Sequence, residues 1–374
     1  MNAKDTVAAI LGSADIALNG TRPWDIRVHN EGFYRRVLAE GSLGIGESYM
    51  DGWWDAEKLD ELFLRIAQAR LEQSAPRGPK TIAMILAAKF LNLQSRKKAW
   101  EVGEHHYDTS NRLFEAMLDK RLTYTCGYWS DPKHPAKDLD AAQEAKLDLV
   151  CRKLHLHKGQ TVLDIGCGWG SFATYAAERY GVAVTGITIS KEQADLARKL
   201  CKGLPVTIEL KDYRDITGTF DHVISLGMFE HVGCKNYKTY MKVVSRCLKD
   251  DGLFLLHTIG SNISREWTDP WVSKYIFPNG MLPSIKQIGT ATEHLFVMED
   301  WHNFGADYDK TLMAWFHNFD RHWPSLKNEF NERFYRMWKF YILVSAGAFR
   351  AREMQLWQIV FSKDGIPGGH QSVR

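Results

Sequence analysis

The run Val162-Leu163-Asp164-Ile165-Gly166-Cys167-Gly168-Trp169-Gly170 constrains this chain more than any other stretch. The apolar segment Thr161–Ile165 is stopped by three glycines at alternate positions, and a helical pattern starts near Ser171. A strand, a glycine loop and a helix in that order form a nucleotide cradle. The glycines allow a tight turn and close backbone approach, and the helix N-terminus offers free N–H donors. The dinucleotide fingerprint is a poor fit, because the third glycine arrives one residue early. That fingerprint also wants an acid roughly 20 residues further on, whereas the second strand ends in Gly186-Ile187-Thr188-Ile189-Ser190. An acid before the glycines, Asp164, suits a ligand carrying an ammonium and a sulfonium. The expected ligand is S-adenosylmethionine rather than NAD.

From about Gln160 the chain alternates strands and helices. Apolar runs at Thr161–Ile165, Val182–Ile187, Val206–Leu210, His222–Leu226 and Leu253–Ile259 have helical segments between most of them. This pattern implies a parallel sheet with right-handed crossovers. Two later runs, Phe296–Met298 with its flanks and Leu356–Phe361, are expected to complete the sheet near its edge. The fold class is therefore α/β: a Rossmann-like methyltransferase fold, seven-stranded and mostly parallel, with a smaller helical N-terminal domain. The domain boundary is placed at the Pro- and Gly-bearing stretch Gln73–Lys80, giving domains 1–80 and 81–374. The first seventy residues read as short helices broken by Gly-rich turns such as Gly41–Gly46, and Thr81–Leu93 reads as a helix.

Composition narrows the function. A net charge of +3 argues against a nucleic-acid partner. The six cysteines form no CxxC pair and no His lies beside them at zinc spacing, so no metal is expected. Their scatter fits a reducing compartment. Lys4, Asp5 and Asp15 interrupt the apolar residues at the N-terminus, unlike a signal peptide, and no apolar run is long enough to span a bilayer. The expected location is cytoplasmic, with peripheral contact to a membrane surface.

Several strings resemble the cyclopropane-fatty-acyl-phospholipid synthases, relatives of the mycolic acid cyclopropane synthases. They are Tyr124-Thr125-Cys126-Gly127-Tyr128-Trp129, the Val162–Gly170 loop, Gly186–Ser190, Met228-Phe229-Glu230-His231-Val232-Gly233 and Leu256-His257-Thr258-Ile259-Gly260. Further matches are Pro270-Trp271, Tyr275–Gly280, Trp301–Tyr308 and, near the N-terminus, Gly46–Trp54. The resemblance implies methyl transfer from S-adenosylmethionine to a cis double bond in an acyl chain of a membrane phospholipid. A carbocation forms on the neighbouring carbon, and loss of a proton from the new methyl closes a cyclopropane ring. A bound bicarbonate is the implied proton acceptor.

By the same resemblance, the bicarbonate ligands are Cys126, Glu230, His257, the backbone N–H of Ile259, and Tyr308. The implied cofactor residues are Tyr124, Thr125, Asp164, Gly166, Cys167, Gly168, Gly170, Thr188, Gln193, Asp212 and Tyr213. The chemistry is coherent. An alkene is a weak nucleophile and water destroys a carbocation, so the site must be dry and hold one well-placed base. Taken alone, Cys126, His257 and Tyr308 read more readily as structural residues, and Glu230 with His231 as a surface pair; the surrounding strings reverse that reading. Some relatives carry a cysteine immediately before the string Ala346–Arg350; here Ser345 stands there, so no covalent nucleophile is implied. The basic cluster Arg96, Lys97 and Lys98, set among apolar residues from Phe90 to Trp100, reads either as a solvated helix face or as a docking element for an anionic bilayer. The N-terminal domain is expected to serve lipid docking and a homodimer. Alternative readings are a methyltransferase leaving a methyl-branched chain, one acting on a small soluble molecule, and a non-catalytic binding module.

Overall fold

The structure is a computed structural model that describes residues 2–71, 92, 94 and 111–374. The linker Gln73–Lys80, the helix expected at Thr81–Leu93 (Asn92 apart) and the Arg96–Lys98 cluster lie outside the described residues. The chain divides into two compact units that follow no single cut. One draws on Met1–Leu91, Glu266–Pro278 and Tyr308–Met354; the other on Asn92–Arg265, Asn279–Asp307 and Gln355–Arg374.

The first unit is helical apart from β1 (Arg27–Val28) and β2 (Trp54–Asp55), a two-residue antiparallel pair. Short helices at Ala3–Gly12, Gly32–Glu40, Ser42–Met50 and Leu59–Gln68 precede a long one at Glu332–Arg350. Phe33, Tyr49, Trp54, Trp271 and Phe340 interlock as a buried aromatic cluster. The Gly-rich stretch expected to form a turn is instead mostly helix: only Gly41 has a left-handed backbone, at φ 59°, and Ser42–Met50 winds on through Gly44 and Gly46. Those two glycines permit close packing. A Cβ on Gly44 would lie 2.5 Å from the Arg36 carbonyl oxygen, and one on Gly46 would lie 2.3 Å from the Trp271 ring. Gly347 does the same for the helices Leu59–Gln68 and Glu332–Arg350, its absent Cβ leaving room for the Asp60 carbonyl.

The second unit is built on a seven-stranded sheet ordered β5-β4-β3-β6-β7-β9-β8. The strands are β3 (Thr161–Ile165), β4 (Ala183–Thr188), β5 (Val206–Leu210), β6 (Phe220–Leu226), β7 (Leu248–Ser261), β8 (Val297–Asn303) and β9 (Met354–Ser362). The pairs β5–β4, β4–β3, β3–β6 and β6–β7 are parallel, and β8–β9 is antiparallel. The two late runs thus do join the sheet, with β8 on the edge and β9 inside it. Neighbouring residues alternate between two hydrophobic clusters: Leu163, Val223, Phe254 and Leu256 pack into one, Val162, Ile224, Leu253 and Leu255 into the other. Period-two alternation with both faces apolar is what helices on both sides of a parallel sheet require. Among the described residues no helix is long and apolar enough to cross a membrane.

Strand order reverses between β3 and β6, which lie side by side although β4 and β5 intervene in sequence. In open α/β sheets a crevice opens at such a reversal, beyond the carboxyl ends of the strands. The residues singled out by sequence at the ends of β3, β4, β6 and β7 belong to this rim.

Candidate active site

Asp164 is the penultimate residue of β3. Its carboxyl is 2% exposed, and Oδ1 has no hydrogen-bond partner among the described residues. Burial pushes its pKa up to about 7, opposed by the charge of Lys146. Beyond it Gly166, Gly168 and Gly170 have φ of 91°, 55° and 84°, a left-handed region that favours glycine. The three are not equivalent. A Cβ on Gly166 would sit 2.6 Å from that of Met228, whereas one on Gly168 would meet nothing within 4 Å. Gly166 packs against protein, and Gly168 leaves an open cradle at the start of the helix Ser171–Tyr180. The Gly166 and Cys167 N–H groups donate to the Ile187 carbonyl, tying the loop to the end of β4. Cys167 is buried there against Gly186.

At the end of β4 the Thr188 hydroxyl lies 2.9 Å from Gln193 Oε1, and Ser190 caps the helix Lys191–Leu200 that carries Gln193. After β5, Asp212 accepts from the Arg214 backbone and pairs with its guanidinium at 2.8 Å, while Tyr213 is buried beside Tyr240. The orphaned carboxyl, the open Gly168 cradle and the row of polar residues at the strand ends fit an adenosyl ligand with a cationic end. The residues that the resemblance assigns to the cofactor on β3, β4 and β5 share this rim.

A second layer crosses the rim. The Tyr124 ring packs on Phe114, 5.1 Å between centroids, and Phe114 on Trp169 of the glycine loop at 4.8 Å. Thr125 sits beside Gly227, where a Cβ would come within 2.6 Å of Thr125 Cγ2. Cys126 is fully buried, its thiol 3.1 Å from the Gly127 carbonyl oxygen. The far end of this segment is anchored by Asp307, which accepts from the N–H groups of Trp129 and Ser130.

Glu230 lies in a 3₁₀ turn just past β6, and His257 lies on β7 directly opposite Leu226. Glu230 Oε1 accepts the Ile259 N–H at 2.7 Å, while Oε2 has no partner among the described residues. The resemblance assigns that N–H to bicarbonate. In the structure it is committed to the carboxyl, because Glu230 folds back onto the end of β7. Burial lifts the Glu230 pKa from 4.5 to about 7. His257 is 1% exposed and held neutral, its pKa pushed well down first by burial and then by the charges of Lys146 and Lys153. Its Nδ1 stands 3.3 Å from Gln358 Nε2, and its Nε2 is unpaired among the described residues. An amide N–H donated to Nδ1 makes Nε2 the protonated nitrogen, and so a donor. The site thus offers one carboxyl oxygen and one ring N–H, both buried and both without partners among the described residues. Such atoms are costly to leave unmade, and they mark a place for a polar guest.

Tyr308 belongs to the first unit, where it is buried with its ring 4.5 Å from Phe349 and 5.9 Å from Trp315. Ser345 is on the helix Glu332–Arg350 of the same unit. His231 is half-buried, and the loss of solvent lowers its pKa to about 4. Sequence reading missed Gln358, on β9, and Lys146, on the helix Leu139–Lys153. Neither lies in a matched string, and a polar residue on a helix reads as solvent-facing.

Residues 94–359 match the mycolic acid cyclopropane synthetase family. The chain is 54% identical over 365 residues to the cyclopropane-fatty-acyl-phospholipid synthase of Escherichia coli (strain K12), covering 98% of this chain and 94% of that protein. It is 32% identical over 350 residues to tuberculostearic acid methyltransferase UfaA1 of Mycobacterium tuberculosis (strain ATCC 25618 / H37Rv), covering 89% and 82%. The solved structure of mycolic acid cyclopropane synthase CmaA1, complexed with SAH and CTAB, is similar with a TM-score of 0.66 at 30% identity, over 71% of this chain and 98% of that one. The strand order, the glycine loop and these likenesses agree: this chain belongs to the mycolic acid cyclopropane synthetase family and is a methyltransferase dependent on S-adenosylmethionine.

Proposed function

We propose that the protein builds cyclopropane rings on unsaturated acyl chains of membrane phospholipids. The observation that carries this reading is the buried pair of Glu230 Oε2 and His257 Nε2, both unpaired among the described residues, beside the cofactor cradle. Simple binding of an adenosyl ligand needs no such polar pair set deep in the protein.

S-adenosylmethionine supplies an electrophilic methyl group. Asp164, Gly166, Cys167, Gly168 and Gly170 would hold its amino-acid side, Thr188 and Gln193 its ribose, and Asp212 with Tyr213 its adenine edge. Tyr124 and Thr125 would close over it. Methyl attachment leaves a cation on the adjacent acyl carbon, and loss of a proton from the new methyl closes the ring. Bicarbonate, when bound, supplies the base. Cys126, Glu230 and His257 would hold it, with Tyr308 as the resemblance implies, and Ile259 acts through Glu230. Glu230 fixes the anion's orientation: ionised, it accepts the anion's O–H, and protonated, it donates. His257 donates from Nε2. Both groups lie out of water, which protects a carbocation.

The N-terminal unit and the Arg96–Lys98 cluster are assigned to docking on an anionic bilayer as a peripheral homodimer. The test of the reaction is to incubate purified protein with vesicles of unsaturated phospholipid and labelled S-adenosylmethionine. Mass spectrometry should show one CH₂ gained per acyl chain, and NMR the upfield ring methylene. Label confined to headgroups would refute the reading, and a methyl-branched chain without the ring signal would replace it with the branching reaction.

A further inference from the structure

The helix Leu139–Lys153 turns Gln143 and Lys146 inward, and both are fully buried. Three residues apart, they share one face of the helix. Gln143 Nε2 donates to the Thr125 carbonyl at 2.7 Å, and Lys146 Nζ donates to the Thr125 hydroxyl at 2.7 Å. An ammonium is expensive to take out of water, and a buried one is usually paired directly with a carboxylate. Here the titratable groups that face it are Asp119, Asp164 and the thiol of Cys126, with His257 feeling its field. Among the described residues, its one hydrogen bond is to neutral Thr125.

That choice of partner has a chemical consequence. A hydroxyl has one proton and two lone pairs. With a lone pair committed to an ammonium, which cannot accept, the Thr125 O–H must be given elsewhere. The Thr125 backbone is pinned by Gln143 from the same helix, and its methyl rests against Gly227. The next residue, Met228, packs on Gly166 of the cradle. We propose that Lys146 is a positioning residue for methyl transfer, which makes the Thr125 hydroxyl a fixed hydrogen-bond donor toward the cofactor. This rests on the reading of Thr125 as a cofactor residue.

The experiment measures S-adenosylhomocysteine affinity by calorimetry for Lys146→Met, Thr125→Val, their double variant and Asp164→Asn, with circular dichroism to confirm folding. Each of the first two should weaken binding by about tenfold, the scale of one charge-assisted hydrogen bond. Because they act through one hydroxyl, the double variant should be no weaker than the worse single variant. Burial holds the Lys146 pKa at about 8 despite Asp119 and Asp164. Wild-type affinity should therefore fall above that pH, and this decline should be absent in Lys146→Met. Wild-type affinity in Lys146→Met, or losses that multiply in the double variant, would overturn the proposal. If Lys146→Met does not fold, Thr125→Val decides alone, and wild-type affinity there refutes it. Loss on Asp164→Asn alone would leave the cofactor reading standing and this one fallen. No loss in any variant would sink both.

Discussion

Replacing Glu230 by Gln should shift stability in the variant's favour as pH rises, while sharply reducing its chemistry. The carboxyl is buried, with only one oxygen hydrogen-bonded among the described residues, to the Ile259 N–H, and its pKa is raised from 4.5 to about 7 by burial. The sign follows from proton linkage. Below the unfolded pKa both states are protonated and the group costs nothing. As pH rises toward 7 the unfolded chain ionises and the folded one does not, so stability falls. Above 7 the full penalty is present, roughly 3 kcal/mol for a displacement of that size. Glutamine keeps the acceptor for Ile259 and cannot ionise.

The absolute stability of Glu230→Gln also contains the cost of an unpaired amide N–H, about 1–3 kcal/mol. That term does not depend on pH, so the informative quantity is the change in the difference between variant and wild type. Urea unfolding in bicarbonate-free buffer at pH 5 and pH 8 should show the difference shifting by about 2–3 kcal/mol in favour of the variant. Activity in the vesicle assay should fall by at least about 100-fold, the range for losing a group engaged in proton transfer, with cofactor affinity unchanged. A stability difference that is flat with pH would refute the account of Glu230 as a carboxyl strained by burial.

Three further outcomes follow from the same geometry. Gly166→Ala should lose roughly 1–3 kcal/mol of stability, because it combines φ 91° with a contact at 2.6 Å to Met228. Gly168→Ala, at φ 55° with open space, should cost only about 1 kcal/mol yet weaken the cofactor more. Thermal melts with and without S-adenosylhomocysteine separate the two, and equal behaviour would contradict the cradle. Gln358→Leu should lower turnover by about tenfold at unchanged cofactor affinity, the scale of a lost hydrogen bond. Gln358→Glu should do worse, since a carboxylate would draw the proton to Nδ1 and leave Nε2 without one; a Gln358→Glu enzyme more active than Gln358→Leu would reverse the tautomer assignment. Neutralising Arg96, Lys97 and Lys98 together should weaken binding to anionic vesicles, at about 1 kcal/mol per charge, and leave cofactor affinity intact. Unchanged flotation with vesicles would remove the cluster from docking.

What could be read from sequence depended on where burial leaves a local trace. The strand Thr161–Ile165 ends where its apolar run ends, because a central parallel strand buried on both faces writes itself as a short apolar block, whereas Val206–Leu210, on the sheet edge, buries only Ile208. The sequence pattern places β7 from Leu253, but the strand begins at Leu248: Lys249, Asp250 and Asp251 form an exposed irregularity between the ladder pairs Phe220–Leu248 and His222–Leu253. The glycines of Gly41–Gly46 were read as a turn because the same residue serves both left-handed backbone and close packing. Only the Trp271 ring, distant in sequence, tells the two apart. At the site, Glu230 and His257 were legible through unusual strings rather than through any physical rule about lone residues.

The helix Leu139–Lys153 shows why Lys146 was hidden. Gln143, Lys146, Val150 and Lys153 fall at helical spacing on one stripe, and all four are buried. Three of the four are polar, so an amphipathic reading sends that stripe to solvent. What draws it inward is supplied from elsewhere in the chain: the Thr125 carbonyl and hydroxyl for Gln143 and Lys146, and His302 at 3.1 Å with Asp300 at 3.7 Å for Lys153. Burial holds Lys146 near pKa 8 and Lys153 near 7, so each ammonium form carries a free-energy cost that apolar residues of similar volume would avoid. Their charges share one further effect, since both add to burial in depressing the pKa of His257. A helix face that looks misplaced by hydrophobic pattern therefore reinforces the burial that keeps this histidine neutral, with its Nε2 proton available to the site.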